Sequence, residues 1–234
     1  MTQPVSLMER LRTATRPAHD ALDRLPYSQA LMAGPVLRCQ LLSHVAAEAL
    51  IQHHLEAVLS AHPHPSLQQV WSGRRRAPLL HHDRERLQSR TPAKPDPYAL
   101  SVAMALAHQF EAWARTMPHR LLGALYVMEG STLGAVVIAQ RLRQHHPEES
   151  DALTRFAPYP EGVGLAWKAF KRRMNALELS STQQDHAIAG ARQTFHRFHQ
   201  IMTRVGHLTA PLHDTAQPPA SSPKAPSTSD GVCP

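Results

Sequence analysis

Residues 121–142 read LLGALYVMEGSTLGAVVIAQRL, and this stretch decides the fold class. It is the most apolar part of the chain, yet Glu129, Ser131 and Thr132 interrupt it, so it reads as a buried helix rather than a membrane span. Its three glycines, Gly123, Gly130 and Gly134, would each cost about 1 kcal/mol relative to alanine in a regular helix. Three explanations fit such a concentration: close helix–helix packing, a kink, or a flat ligand lying against the backbone, which only glycine or alanine permits. Gly130 and Gly134, with Ala135 beside the latter, put small residues on neighbouring turns and make a shelf.

Working outward, helical spacing continues on both sides. Leu7, Leu11, Ala18, Leu22 and Leu25 predict a first helix over about residues 5–24, ending at Pro26. Gly34-Pro35 opens a second, whose apolar face runs from Leu37 to Leu59 until Pro63 and Pro65 break it. Short helices are expected in the polar stretch 66–90, and long ones over 98–117 and 119–144 with Pro118 at a fresh first turn. Pro147, Pro158 and Pro160 bracket an irregular connection. Leu165, Trp167, Phe170, Met174 and Leu177 predict a further helix, and Thr182 with Asp185 resembles a capping box opening the last, along the seam Ile188 to Val205. No alternating strand pattern and no internal repeat occurs, so the fold class is all-α. The expected organisation is one helical domain over 1–208 and a disordered Pro/Ser-rich tail over 209–234.

Composition narrows the function. The 234 residues carry 25 Lys+Arg against 18 Asp+Glu, a net charge of +7 with His neutral. The only dense basic run is Arg74-Arg75-Arg76, with no recognised motif or stacking aromatics beside it, so the balance is better explained by an acidic protein partner or an anionic ligand than by nucleic acid. Two cysteines exclude a disulfide framework and point to a reducing cytoplasm. The N-terminus has no apolar signal core, and no membrane association is expected. Paired histidines such as His53-His54, with His62 and His64, suggest no metal site, because prolines place the latter two in a loop and no cysteine assists.

One histidine stands apart. On a helix turning about 100° per residue, His19 lies roughly 80° from Leu11, at the edge of the apolar stripe. Asp23 follows one turn on and can orient the imidazole directly or through water. On spacing alone a surface pair is the commoner reading of such neighbours.

The segments LRTATRPAHDALD (residues 11–23) and GALYVMEGSTLGAVVIAQRL (residues 123–142) together resemble the heme oxygenase family, especially its bacterial branch found beside bacteriophytochromes. WKAFKRRMNAL and the helix after it resemble the family's C-terminal region, so the likeness runs from about 5 to 207. It implies a multi-helix bundle with heme b held between the first, proximal helix and a glycine-kinked distal helix. His19 would be the axial iron ligand, and Asp23 would stand where Glu is usual, its shorter side chain pointing to a bridging water. Thr15 shares the proximal face. Gly130, Ser131, Gly134 and Ala135 would line the distal side, while Arg12, Lys168, Lys171 and Arg172 would meet the propionates. Two departures stand out. Ala135 replaces a frequent third glycine, narrowing the distal space by a methyl, and Ser131 replaces the carboxylate of animal members, so protons must come through another network.

The activity so implied is oxidative opening of heme at a meso carbon with O₂ and electrons, giving biliverdin, CO and ferrous iron. Heme is then substrate and cofactor together. An acidic ferredoxin or reductase would supply electrons, and a bacteriophytochrome would receive the bilin. The alternative from another class is a non-catalytic heme carrier or sensor of the same fold, since fold alone does not fix function.

Overall fold

A computed structural model describes residues 5–71, 74–159 and 161–209. Among these residues the chain forms ten α-helices and two short 3-10 turns, with no strand. The helices are α1 (Leu7–Asp23), α2 (Pro26–Ala33), α3 (Arg38–Ala61), α4 (Pro65–Trp71), α5 (Ala77–Gln88), α6 (Pro97–Thr116), α7 (Arg120–Gly130), α8 (Thr132–His145), α9 (Val163–Asn175) and α10 (Ser181–Gly206). The all-α expectation holds.

Several boundaries differ from the sequence reading, each for a local reason. Pro26 does not merely end α1 but starts α2, because a proline in the first turn lacks only an amide that would have no helical partner there. Gly34 then closes α2 at a φ of 112°, which glycine alone adopts without strain. The following helix begins at Arg38 rather than at Gly34-Pro35. The capping box of α10 is Ser180 with Gln183, not Thr182 with Asp185. Asp185 is instead taken by Arg10 of α1 at 2.8 Å. The connection after Pro147 carries the two 3-10 turns, 147–152 and 154–156. The expected tail lies, from residue 210 on, outside the described residues.

The long α10 runs through the middle, packed chiefly on α7, α1 and α6, while α3 pairs with α6 and α5. Its crossing with α7 explains one of the three glycines. A Cβ on Gly123 would run into the carbonyl of Ala187, and one on Gly190 into the carbonyl of Arg120, so the two backbones touch only because both residues are glycine. Around this crossing Leu121, Leu122, Leu125, Ala187, Ala191 and Ile201 are buried. Burying a large aliphatic side chain contributes roughly 1.5–3 kcal/mol relative to leaving it exposed.

The helix expected over 119–144 is broken at Ser131. The Ser131 hydroxyl donates back to the Met128 carbonyl (2.8 Å) and Thr132 Oγ1 donates to the Glu129 carbonyl (2.7 Å). Such back-bonding by Ser and Thr bends a helix. By length and apolarity 120–145 is the one described stretch that could cross a membrane, but it is interrupted here, and 56% of its most apolar window is buried inside the protein.

Candidate functional site

The break turns α8 away from α10, on which α7 is packed. Helices α1 and α8 each touch α2 and α9, yet they barely meet each other. At the α9 end the Met8 amide donates to Asn175 Oδ1 (3.1 Å). At the α2 end Gly34 lies against the ring of His145, the last residue of α8. The two helices are thus tied to the same two neighbours while making few contacts with each other.

On α1 His19 is half exposed, its side chain 56% accessible. Its Nδ1 lies 2.9 Å from Asp23 Oδ2. The contact is direct, so the shorter carboxylate needs no bridging water. An imidazole fixed through Nδ1 keeps Nε2 free for a metal. Its ring also sits edge-on to Phe195 of α10, centroids 5.9 Å apart, which fixes its tilt. His19, Asp20 and Asp23 form the one group of three or more His, Cys, Asp or Glu among the described residues whose ligand atoms lie close enough to share a metal ion. Thr15 is placed differently from its neighbours. It is buried and its hydroxyl donates to the Leu11 carbonyl (2.8 Å), so it supports α1 from the core side.

Helix α8 begins at the shelf residues. A Cβ on Gly134 would meet nothing within 4 Å, whereas one on Gly130 would come within 3.7 Å of the Trp167 ring. The shelf is thus open at Gly134 and walled at Gly130. Leu133, Val136 and Val137 beside it are exposed apolar side chains, the kind of surface that a ligand or partner covers. Ala135 points the other way and is buried, so its methyl does not narrow the open side. Ser131 is exposed at the break, its proton committed to Met128 and its lone pairs free.

The basic residues split by location. Arg12 on α1 is exposed and pairs with Glu9 (2.7 Å). Tyr126 of α7 lies tilted against Trp167 of α9, ring centroids 6.0 Å apart and planes at 47°. Lys168, Lys171 and Arg172 line an open groove along α9 with Leu165 and Asn175.

The sequence reading missed the buried polar layer behind the break. Arg74 and Arg76, read there as part of a basic run, are 5% and 3% exposed. Arg74 pairs with Glu129 and donates to the Ala166 carbonyl of α9 (2.8 Å). Arg76 donates to the Met128 carbonyl (2.9 Å) and to Gln52 (3.1 Å). Glu56 accepts from the amides of Arg76 and Ala77 and from Gln52. Tyr159 donates to Glu129 at 2.8 Å, its phenol pushed up by burial and by that carboxylate. The signal available was Glu129 itself, an acid inside the most apolar stretch, which demands a buried partner. His62 and His64 likewise do not join His53-His54. His64 packs edge-on to His119 at 4.8 Å, and burial, with His64 adding to it, lowers the pKa of His119.

Comparison with known proteins gives the geometry a family. The heme oxygenase family model matches residues 5–204. A heme oxygenase of Xanthomonas campestris is 33% identical over 132 residues, 56% of this chain and 70% of that protein. Heme oxygenase PigA of Pseudomonas aeruginosa is 26% identical over 196 residues, 84% of this chain and 91% of that one. Among solved structures, heme oxygenase-1 of the cyanobacterium Synechocystis in complex with heme shares the fold at a TM-score of 0.75 and 16% identity, covering 86% of this chain and 92% of that one. With the match spanning nearly all the described residues, the chain belongs to the heme oxygenase family.

Proposed function

We propose that the protein binds heme between α1 and α8 and opens its ring to biliverdin. When bound, heme supplies the iron that takes up O₂ and is itself the molecule oxidised, yielding biliverdin, CO and ferrous iron. The single observation carrying this reading is the carboxylate-oriented, half-exposed imidazole of His19 on α1, and the unfilled glycine position on α8 supports it.

The residues fit such a ring. His19 offers Nε2 to the metal while Asp23 holds Nδ1, fixing the tautomer and raising basicity. Gly134 lets the ligand approach the α8 backbone, and Leu133 and Val137 exclude water from that approach. Arg12, Lys168, Lys171 and Arg172 receive carboxylates at the rim and set the rotation of the ring. Ser131 accepts from a water but adds no charge, so protons reach a bound ligand through a network other than a carboxylate at this position. An acidic ferredoxin or reductase in the cytoplasm donates electrons, and the bilin product passes to a bacteriophytochrome.

Ser131 in place of a carboxylate also favours a second reading, a heme carrier or sensor. The two part under reductant. Heme-loaded protein supplied with ferredoxin and its reductase should lose its Soret band while a red-absorbing bilin grows, identified as biliverdin by chromatography. A stable ferrous–oxy spectrum under the same conditions would establish the carrier instead.

A further inference from the structure

The buried layer behind the break holds a carboxylate whose position needs explaining. Glu129 is 2% exposed and lies in the last turn of α7, one residue before Gly130. A negative charge there faces the negative end of the helix dipole as well as the cost of burial. It is kept by two donors and one further positive charge from outside its own helix. Arg74 forms an ion pair with Oε2, Tyr159 donates its hydroxyl to both oxygens at 2.8 Å, and Arg76 approaches Oε1 to 4.0 Å.

Both arginines are themselves anchored elsewhere. The second terminal nitrogen of Arg74 is held by the Ala166 carbonyl of α9, and its guanidinium lies over the Phe170 and Tyr159 rings at 5.1 and 5.6 Å. The Arg76 guanidinium ties the Met128 carbonyl of α7 to Gln52 of α3. The end of α7 is therefore fastened to α9 and α3 through charged groups, at the residue before the bend and five residues before Gly134. Two hydroxyl back-bonds alone would leave the bend angle free to vary.

We propose that Glu129, gripped by Arg74 and Tyr159, is the positioning residue of the distal helix, fixing the height of the Gly130–Gly134 shelf and so which edge of a bound ring is attacked. This deepens the reading of a heme site between α1 and α8 and rests on it. Glu129 does not touch the ring. It acts through the backbone of Gly130 to Gly134, and a slack clamp would let the shelf rise and sample more than one edge.

The test uses the full chain with Tyr159→Phe and Glu129→Gln, and two kinds of measurement. In heme-free protein, amide hydrogen exchange over residues 130–135 should accelerate about tenfold in Tyr159→Phe, as loss of one hydrogen bond to a charged group implies. Exchange in α3 and α6 should be unchanged. In heme-loaded protein, both variants should shift the ferric spin-state spectrum and change the ratio of biliverdin isomers. Should Glu129→Gln fail to fold, because two buried arginines lose their counter-charge, Tyr159→Phe carries the test alone. Unchanged exchange at 130–135 in Tyr159→Phe overturns the clamp. Faster exchange with wild-type spectrum and isomer ratio makes Glu129 a structural anchor only, and overturns the proposal as well. A wild-type protein that takes up no heme would refute the function proposed above, while the exchange measurement would still decide whether the clamp exists.

Discussion

His19 is unusual in combining partial exposure with a fixed geometry. A surface His–Asp pair would leave the ring mobile, but here Asp23 holds one nitrogen and Phe195 sets the tilt, leaving Nε2 as the free ligand atom. Since the side chain is half exposed, His19→Ala should leave the fold intact, with stability changed by about 0.5–1 kcal/mol at most. Heme spectrum and turnover should both collapse, and added imidazole should restore part of each by filling the space left behind. A His19→Ala protein with the wild-type Soret band and rate would show that another group holds the iron. Gly134 permits a complementary prediction on α8. A leucine there enters open space, so Gly134→Leu should fold and still bind heme while losing at least about tenfold in turnover or altering the isomer ratio, as expected when a reacting group is displaced by about an ångström. Wild-type rate and products from this variant would remove the shelf from the active site.

At the scale of elements, legibility follows locality. Glycines, prolines and helical spacing all act within one or two turns, so the long helices and the edge position of His19 could be read directly, while the break at Ser131 falls inside a stretch that reads as one helix. The second helix was missed because Pro26 is equally a terminator and a first-turn residue, and only tertiary packing of Tyr27 and Leu31 decides between them. The Arg74–Glu129 pair spans 55 positions and its burial is invisible to local pattern, so a triplet of arginines read as a solvent-facing run. Asp96 shows the same division within one residue. Its N-cap bond to the Ala99 amide (2.9 Å) is a local signal, whereas its pair with Arg204 at the far end of α10 (2.8 Å) is not. Burial raises the carboxyl of Asp96, but Arg204 and the Ala99 amide outweigh it and hold its pKa below the usual value. A carboxyl depressed on folding stabilises the native state above its unfolded pKa of about 3.9 and loses that contribution as pH falls through the folded value. Asp96→Ala should therefore cost about 1–2 kcal/mol at pH 7 by urea unfolding, while Asp96→Asn keeps the cap, costs less than about 1 kcal/mol because Arg204 is half exposed, and removes part of the loss below pH 4. An equal cost for the two variants would mean that the cap contributes nothing beyond the ion pair.

Across the whole molecule, the net charge of +7 is distributed unevenly. Much of the basic content is neutralised by specific acids: Arg74 by Glu129, Arg155 by Glu48, Arg38 and Arg90 by Glu149, and Arg204 by Asp96. Lys168, Lys171 and Arg172 have no such partner among the described residues, and they stand together along the outer face of α9. Other cations such as Arg24, Lys94, Arg115 and Arg143 also make no ion pair among the described residues, but these three stand together on one helix beside the proposed heme site. Their positive field accelerates encounter with an acidic donor, and it is screened over about 10 Å at 0.1 M salt. Turnover with an acidic ferredoxin under donor-limited conditions should fall by about tenfold between roughly 0.02 and 0.5 M ionic strength. With a small uncharged reductant it should hardly change, which separates steering from any effect of salt on heme binding or on the fold. Lys171→Glu should flatten the salt dependence with ferredoxin, and any loss of rate with the uncharged reductant measures its separate part in holding the heme carboxylates. If the ferredoxin rate is independent of salt in the wild-type protein, the donor docks elsewhere and the basic face of α9 serves the heme carboxylates alone.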